Sequence, residues 1–172
     1  FAATLEKRYG VKIRFYLPSN AAVESLVDRQ GPNGFRVAVD QRKACCAVRK
    51  VAPLERALSG KRSWITGLRR GQSGERASTE PVGWNAYHSV WKYAPLADWT
   101  AASVWTFVRA AQIPYHPLYE RGYASIGCAS CTRAITPGED ERAGRWWWEA
   151  PGAGKECGLH TAAAEQPVEW QI

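Results

Sequence analysis

The chain has 172 residues, 45% of them hydrophobic and 23% charged, with a net charge of +7. That is enough for one domain with a real core and too little for two. No apolar run is long enough to form a transmembrane helix, and the opening residues do not read as a secretory leader. The charge is local. Residues 1–80 hold 16 Lys/Arg against 7 Asp/Glu, whereas residues 81–172 hold 7 against 9. Residues 42–76 alone hold ten basic residues and two acids. A focused excess of this kind fits a site that receives an anion; the bland alternative is a solvated basic face. The chain contains no methionine and starts at Phe1, so a chain lacking its N-terminal part is expected.

In chain order, residues 2–10 read as the end of a helix, with Leu5 and Tyr9 four apart and Gly10 as its stop. Residues 11–16 alternate Val11, Ile13 and Phe15 with Lys12 and Arg14, which predicts a strand. Pro18-Ser19-Asn20 turns and caps a helix over 21–29, with Val23, Leu26 and Val27 on one face. Residues 31–34 are a loop. Residues 42–58 are helical in tendency but must be kinked or split at Pro53. A short strand at 63–67 leads into a Gly/Ser/Arg-rich loop that ends near Ser78. Thr100 caps a helix to about Gln112, with Val104, Phe107 and Val108 as its buried stripe. Irregular chain follows, and Trp146-Trp147-Trp148 precedes a glycine-proline hinge at 151–154. Strand then helix, repeated, predicts an α/β domain. The expected division is 1–150 as the domain and 151–172 as a mobile tail.

Five cysteines exclude a simple disulfide framework, and a chain of this size does not need one. Metal binding plus one reactive thiol fits the count and points to a reducing compartment, the cytoplasm. Cys45-Cys46 and the CxxC pair Cys128 and Cys131 together offer four thiolates, a set that suits a [4Fe–4S] cluster or a structural zinc. Adjacent helical residues project about 100° apart. Both sulfurs reach one target only at a helix end or an irregular turn. A cubane with four separate irons accepts diverging sulfurs more readily than one tetrahedral ion does, which favours the cluster. Arg49 and Lys50, one turn after Cys46, would offset cluster charge, or form an ordinary basic surface pair.

The fifth thiol, Cys157, lies in Lys155-Glu156-Cys157-Gly158-Leu159-His160 behind the hinge. Positive charge nearby lowers a thiol pKa and makes it nucleophilic. A glycine-flanked tail can enter a pocket and later present its sulfur elsewhere. The alternative is an exposed thiol near a frayed terminus. Arg69 and Arg70, in a loop after a short strand, suit a phosphate or sulfate. No GxxxxGK[ST] loop is present, so a P-loop NTPase is excluded. His88 and His116 have no mutual ligand spacing, and His116, between Tyr115 and Pro117, reads as structural. The three consecutive tryptophans cannot all face one side.

Six ordered motifs carry a resemblance. They are Cys45-Cys46-Ala47-Val48-Arg49-Lys50-Val51-Ala52-Pro53-Leu54, Trp64-Ile65-Thr66-Gly67-Leu68-Arg69-Arg70-Gly71-Gln72-Ser73 and Lys92-Tyr93-Ala94-Pro95-Leu96-Ala97-Asp98-Trp99. Gly122-Tyr123-Ala124-Ser125-Ile126-Gly127-Cys128-Ala129-Ser130-Cys131-Thr132, Gly144-Arg145-Trp146-Trp147-Trp148-Glu149 and the Lys155–His160 segment complete the set. Together they span roughly Tyr9 to His160. The chain resembles the assimilatory sulfonucleotide reductases. The four-cysteine set is similar to that of the branch that binds [4Fe–4S] and acts on adenosine 5′-phosphosulfate (APS); the branch specific for the 3′-phosphorylated substrate (PAPS) generally lacks it.

The resemblance implies an adenine-nucleotide α-hydrolase-like (PP-loop-type) α/β fold with a central, mostly parallel sheet and a flexible C-terminal tail. The family's phosphate-binding Ser/Gly loop has no match here, and by the resemblance it would precede Phe1. The implied reaction starts with attack of the Cys157 thiolate on the sulfur of APS, loss of AMP and formation of an S-sulfocysteine. A thioredoxin- or glutaredoxin-type dithiol then releases sulfite. Arg69, Arg70, Arg142 and Arg145 would hold sulfate and phosphate oxygens. Lys50 would link cluster and substrate, and His160 would support the tail or the thiolate. Neither nucleic acid nor membrane is an expected partner, and a homo-oligomer is left open. PAPS reduction, an Fe–S tRNA-thiolating protein and a zinc module are the alternatives.

Overall fold

The computed structural model describes residues 1–150, residues 154–160 and the backbone of residues 165–167. Among the described residues there are five α-helices and a four-stranded sheet. Helix α1 (Ala2–Tyr9) ends at Gly10, whose φ of 62° terminates the helix in the left-handed region. Helix α2 (Asn20–Gln30) starts where the Ser19 hydroxyl accepts the Ala22 N–H and buries Leu26. The strand expected at 11–16 is not formed. Those residues carry no regular structure, and Val11 and Phe15 are 52% and 69% exposed. Alternation marks one apolar face, but a strand also needs a neighbour for its ladder. Among the described strands none pairs with this segment.

The helical stretch around Pro53 is divided into three parts. Helix α3 (Val39–Cys46) runs into a π turn (Ala47–Val51), which hands over to helix α4 (Ala52–Leu58). Pro53 has no N–H for the carbonyl four residues earlier, and its ring crowds that carbonyl. Widening the turn upstream accommodates it. The split was expected, but it lies in the turn before the proline. Arg42 on α3 is fully buried, and its guanidinium grips Glu149 through two bonds of 2.6 and 3.2 Å. Removing Arg42 would strand a carboxylate that is itself 5% exposed, a change that costs about 3–5 kcal/mol.

The sheet has the order β1-β3-β2-β4, formed by β1 (Ser63–Ile65), β2 (Val82–Asn85), β3 (Val90–Tyr93) and β4 (Glu165–Pro167). β1 and β3 are parallel, whereas β2 is antiparallel to both β3 and β4. The α/β class is as expected. The sheet is mixed, with one parallel pair of three, where a mostly parallel one was expected. The cause is the β2–β3 hairpin, closed by the Asn85 side chain accepting the His88 N–H at 2.9 Å. Its inward face mixes polar and apolar side chains: Asn85 and Lys92 face inward with Val90, Lys92 only 2% exposed, while Trp84 and Trp91 meet edge-on on the other face.

Helix α5 (Ala101–Ala110) is capped by the Thr100 hydroxyl, which accepts the Ser103 N–H. The stripe expected to be buried is not. Phe107 meets Trp99 edge-on and stays 52% exposed, and no residue of the helix is buried. Periodicity finds an apolar face without naming what covers it. The core that positions the site joins Phe35, Cys46, Cys131, Trp146 and Cys157. The hinge expected at 151–154 lies outside the described residues except for Gly154. The tail beyond His160 also lies outside them, except for the backbone of β4. No helix among the described residues is long and apolar enough to cross a membrane.

Candidate functional site

Two cavities meet at Lys50. The first, about 350 Å3, is lined by Cys45, Cys46, Cys128 and Cys131 together with Arg42, Arg49 and Lys50. Cys45 and Cys46 end α3 immediately before the π turn, an irregular turn of the kind adjacent cysteines need to face one space. The other pair sits on a tight turn (Ala129–Cys131), in which the Cys131 N–H and the Thr132 hydroxyl both donate to the Cys128 carbonyl, each at 2.9 Å. Thr132 bridges to Arg145, and the Trp146 N–H donates to the Cys131 carbonyl. The second cysteine pair is thereby zipped to the segment carrying Arg145. Gly144 permits this closeness, since a Cβ there would lie 2.3 Å from the Arg133 carbonyl oxygen.

Burial pushes the Cys46 thiol up to about 11, against the pull of Lys50, and raises Cys45 as well. Bare thiols here are held protonated, whereas a bound metal centre would deprotonate them. Among the described residues no group of three or more His, Cys, Asp or Glu side chains is placed to hold a metal ion. The four thiols are distributed around a volume. Sulfur donors spread around a space with three cations in its wall fit a polynuclear cluster.

The second cavity, about 260 Å3, is lined by Lys50, Arg76, Arg142, Arg145, Glu141, His160 and Cys157, among others. Arg142 is drawn below the ordinary guanidinium range by burial first and then by Arg76, while Glu156 and Cys157 oppose the shift. Arg145 and Arg42 stack on the Trp146 ring, at 4.6 and 4.5 Å from its centroid. Trp146 is 1% exposed and Trp147 38% exposed, which resolves the three-tryptophan run. His160 stacks on Trp64, 5.1 Å between centroids and 15° between planes. Its pKa falls to about 3 through burial first, then Lys92, Arg76 and Arg142. It is therefore neutral near pH 7 and supplies no positive charge to Cys157. His116 caps a short turn with its Nδ1, a structural role.

The structure thus brings Lys50, Arg142, Arg145, Cys157 and His160 together. It does not bring Arg69 and Arg70 into that lining. Arg69 lies behind the cavity and holds Glu141 with bonds of 2.8 and 2.9 Å. Arg70 pairs with Asp98 and Glu80 at the periphery. Arg69 is extended, so its side chain and that of its neighbour diverge. Arg76, Arg42, Glu141 and Lys92 were not singled out from sequence. Arg42 and Arg76 are the two ends of the basic window, and that position is the one signal that could have marked them.

The second cavity is walled by cations, has a cysteine in its lining and is set on an α/β fold. The model of the phosphoadenosine phosphosulfate reductase domain matches residues 1–134, and the chain belongs to that family. Curated relatives include adenosine 5′-phosphosulfate reductase of Allochromatium vinosum, 53% identical over 91% of this chain and 60% of the relative. The protein of the same name from Agrobacterium fabrum is 50% identical over 94% of this chain and 62% of its own length. The chain therefore spans about three fifths of these relatives. A crystal structure of phosphoadenylyl-sulfate (PAPS) reductase from Candida auris shares the fold, with a TM-score of 0.56 at 23% identity, over 73% of this chain and 59% of the other.

Proposed function

We propose that the protein carries out thioredoxin-type, dithiol-dependent reduction of APS to sulfite and AMP. One observation carries the reading: Cys157 lines the same cavity as Lys50, Arg76, Arg142 and Arg145. The relatives' shared name, adenosine 5′-phosphosulfate reductase, supports it. In the first step the Cys157 thiolate attacks the sulfate sulfur. An S–S bond forms, the S–O bond to the phosphate breaks, and AMP leaves with the electron pair. Arg142, Arg145 and Lys50 bind the sulfonate and phosphate oxygens and stabilise the charge on the leaving phosphate. In the second step one thiolate of a thioredoxin- or glutaredoxin-type dithiol attacks Cys157 Sγ and expels sulfite. The second thiol closes the reductant's disulfide and restores Cys157.

Cys45, Cys46, Cys128 and Cys131 would hold a [4Fe–4S] cluster, which supplies a fixed negative charge beside Lys50. Lys50, lining both cavities, balances that charge and meets the substrate anion. His160, kept neutral, packs the thiol's segment on Trp64. All five cysteines are free thiols, which supports a reducing compartment, the cytoplasm. The four-cysteine set favours APS over PAPS. The test compares sulfite release from the two with reduced thioredoxin. Preference for APS is expected; faster release from PAPS would reverse the substrate assignment, and none from either would remove the reaction.

A further inference from the structure

The segment carrying the reacting thiol is seated by arginines from three separate parts of the chain. Arg42 donates to the carbonyls of Glu156 and Gly154, at 2.7 and 3.2 Å. Arg142 donates to the Lys155 carbonyl at 2.6 Å, and the Lys155 N–H reaches Glu75 at 3.2 Å. These contacts use main-chain groups, which a change of side chain in the segment would leave in place. The Glu156 carboxylate differs. It accepts from Arg76 Nε and Nη2 at 2.7 and 3.1 Å, and lies 3.2 Å from Arg142 Nη2. The Arg76–Glu156 pair is 12% and 15% exposed at its side chains, dry enough for a charge-assisted fork to matter. Glu156 immediately precedes Cys157, and both of its arginines line the anion cavity. Two guanidiniums this close repel, and Arg142 is shifted downward partly for that reason. The Glu156 carboxylate lies between them and offsets that repulsion.

We propose that Glu156 is an anionic latch: its carboxylate seats Cys157 against the cation cavity by occupying Arg76 and Arg142, and small oxyanions that bind those guanidiniums loosen it. Glu156 is a positioning residue, acting through the arginines on a thiol it does not touch. The inference rests on the proposed reaction only for what the seated thiol does; the seating itself is a property of this chain. A sulfonucleotide that draws Arg142 towards its own oxygens weakens the latch as it binds. The same contact that delivers the thiol is thereby made easier to release once the sulfonate has been transferred.

The experiment measures alkylation of Cys157 by iodoacetamide in the purified protein, read by mass spectrometry of the Cys157 peptide. Rates are taken at the alkaline plateau, so that thiol ionisation does not enter. Cys157 is 9% exposed, and slow labelling is expected. Glu156→Gln should label about tenfold faster or more, the scale of a lost charge-assisted contact. Arg76→Gln, which leaves the segment's sequence and the Arg142 contact intact, should label faster than wild type but more slowly than Glu156→Gln, and the double variant should match Glu156→Gln alone. Sodium sulfate should accelerate wild-type labelling relative to sodium chloride at equal ionic strength and leave Glu156→Gln unchanged. Labelling of Glu156→Gln within twofold of wild type, an additive double variant, or indifference of the wild type to sulfate would each overturn the latch. Sulfite is not part of this readout. A protein that labels as expected but releases no sulfite from APS keeps the latch and loses the proposed reaction.

Discussion

The cavity walled by thiols and the cavity walled by guanidiniums share Lys50 but are held in shape by different means. Backbone fixes the first: the π turn sets Cys45 and Cys46, and two bonds to the Cys128 carbonyl set the second pair. Charge pairing holds the second, with Glu156 on Arg76 and Arg142, and Glu141 in its lining held by Arg69. A backbone-built site tolerates changes of charge but not of chain geometry. A charge-built site responds to salt, competing anions and pH. The difference matches the two tasks proposed for them, permanent retention of a cofactor and transient capture of an anion.

The sharpest way to separate the two cavities is to remove one sulfur from each. Cys157→Ser should lower sulfite release by more than about 1,000-fold, while iron content and absorbance near 400 nm stay at wild-type levels. Cys128→Ser should do the reverse to the cofactor, with iron and colour lost together. Colour retained in Cys128→Ser, or comparable turnover in Cys157→Ser, would break the division between the cavities.

A smaller effect distinguishes the lining of the second cavity from its surroundings. Arg142→Met should cost about 100-fold or more in kcat/KM for APS, as expected for a buried donor to developing charge. Arg70→Met should stay within about twofold, because its pairs with Asp98 and Glu80 are peripheral. Equal losses in the two variants would return Arg70 to the anion site and blur the boundary drawn here.

The smallest expected effect is the pH response of the charge-built side. In the seated segment the His160 pKa is lowered from 6.5 to about 3, by burial and by Lys92, Arg76 and Arg142. Above about pH 6.5 the seated and released forms are both neutral, and seating keeps its full stability. As pH falls below 6.5 the released form takes a proton that the seated form refuses, so seating weakens. Fluorescence of Trp64, on which His160 stacks, should therefore change between pH 7.5 and 5.5 in the wild type and stay flat in His160→Asn. A flat wild-type profile would show that the ring is not gripped as described.

Local signals were the legible part of the fold. Gly10, Ser19 and Thr100 act through their own backbone or side chains within a few residues, so their helix ends could be read directly. The β2–β3 hairpin was not legible, because Asn85 and Lys92 turn inward and the tryptophans outward. Polar residues at inward strand positions break the alternation by which a strand is read. The thiols and Cys157 stand out as candidates because thiols can ligate a metal or act as nucleophiles. Arg69 and Arg70 had the right type in the wrong direction, and Arg76 looked like any other basic residue until Glu156 was found upon it. Pairing across 80 residues is a tertiary fact, and no local spacing encodes it.

The π turn at Ala47–Val51 sets the phase between two chemistries. One extra residue in that turn offsets α4 from α3 by about 100° relative to an unbroken helix. Deleting a single residue there would give a smooth helix and swing Lys50 away from at least one of its two cavities. An insertion-or-deletion step at this point is therefore equivalent to a change of wiring rather than of length. Relatives that differ by one residue in this turn should differ in whether the two cavities sense each other at all.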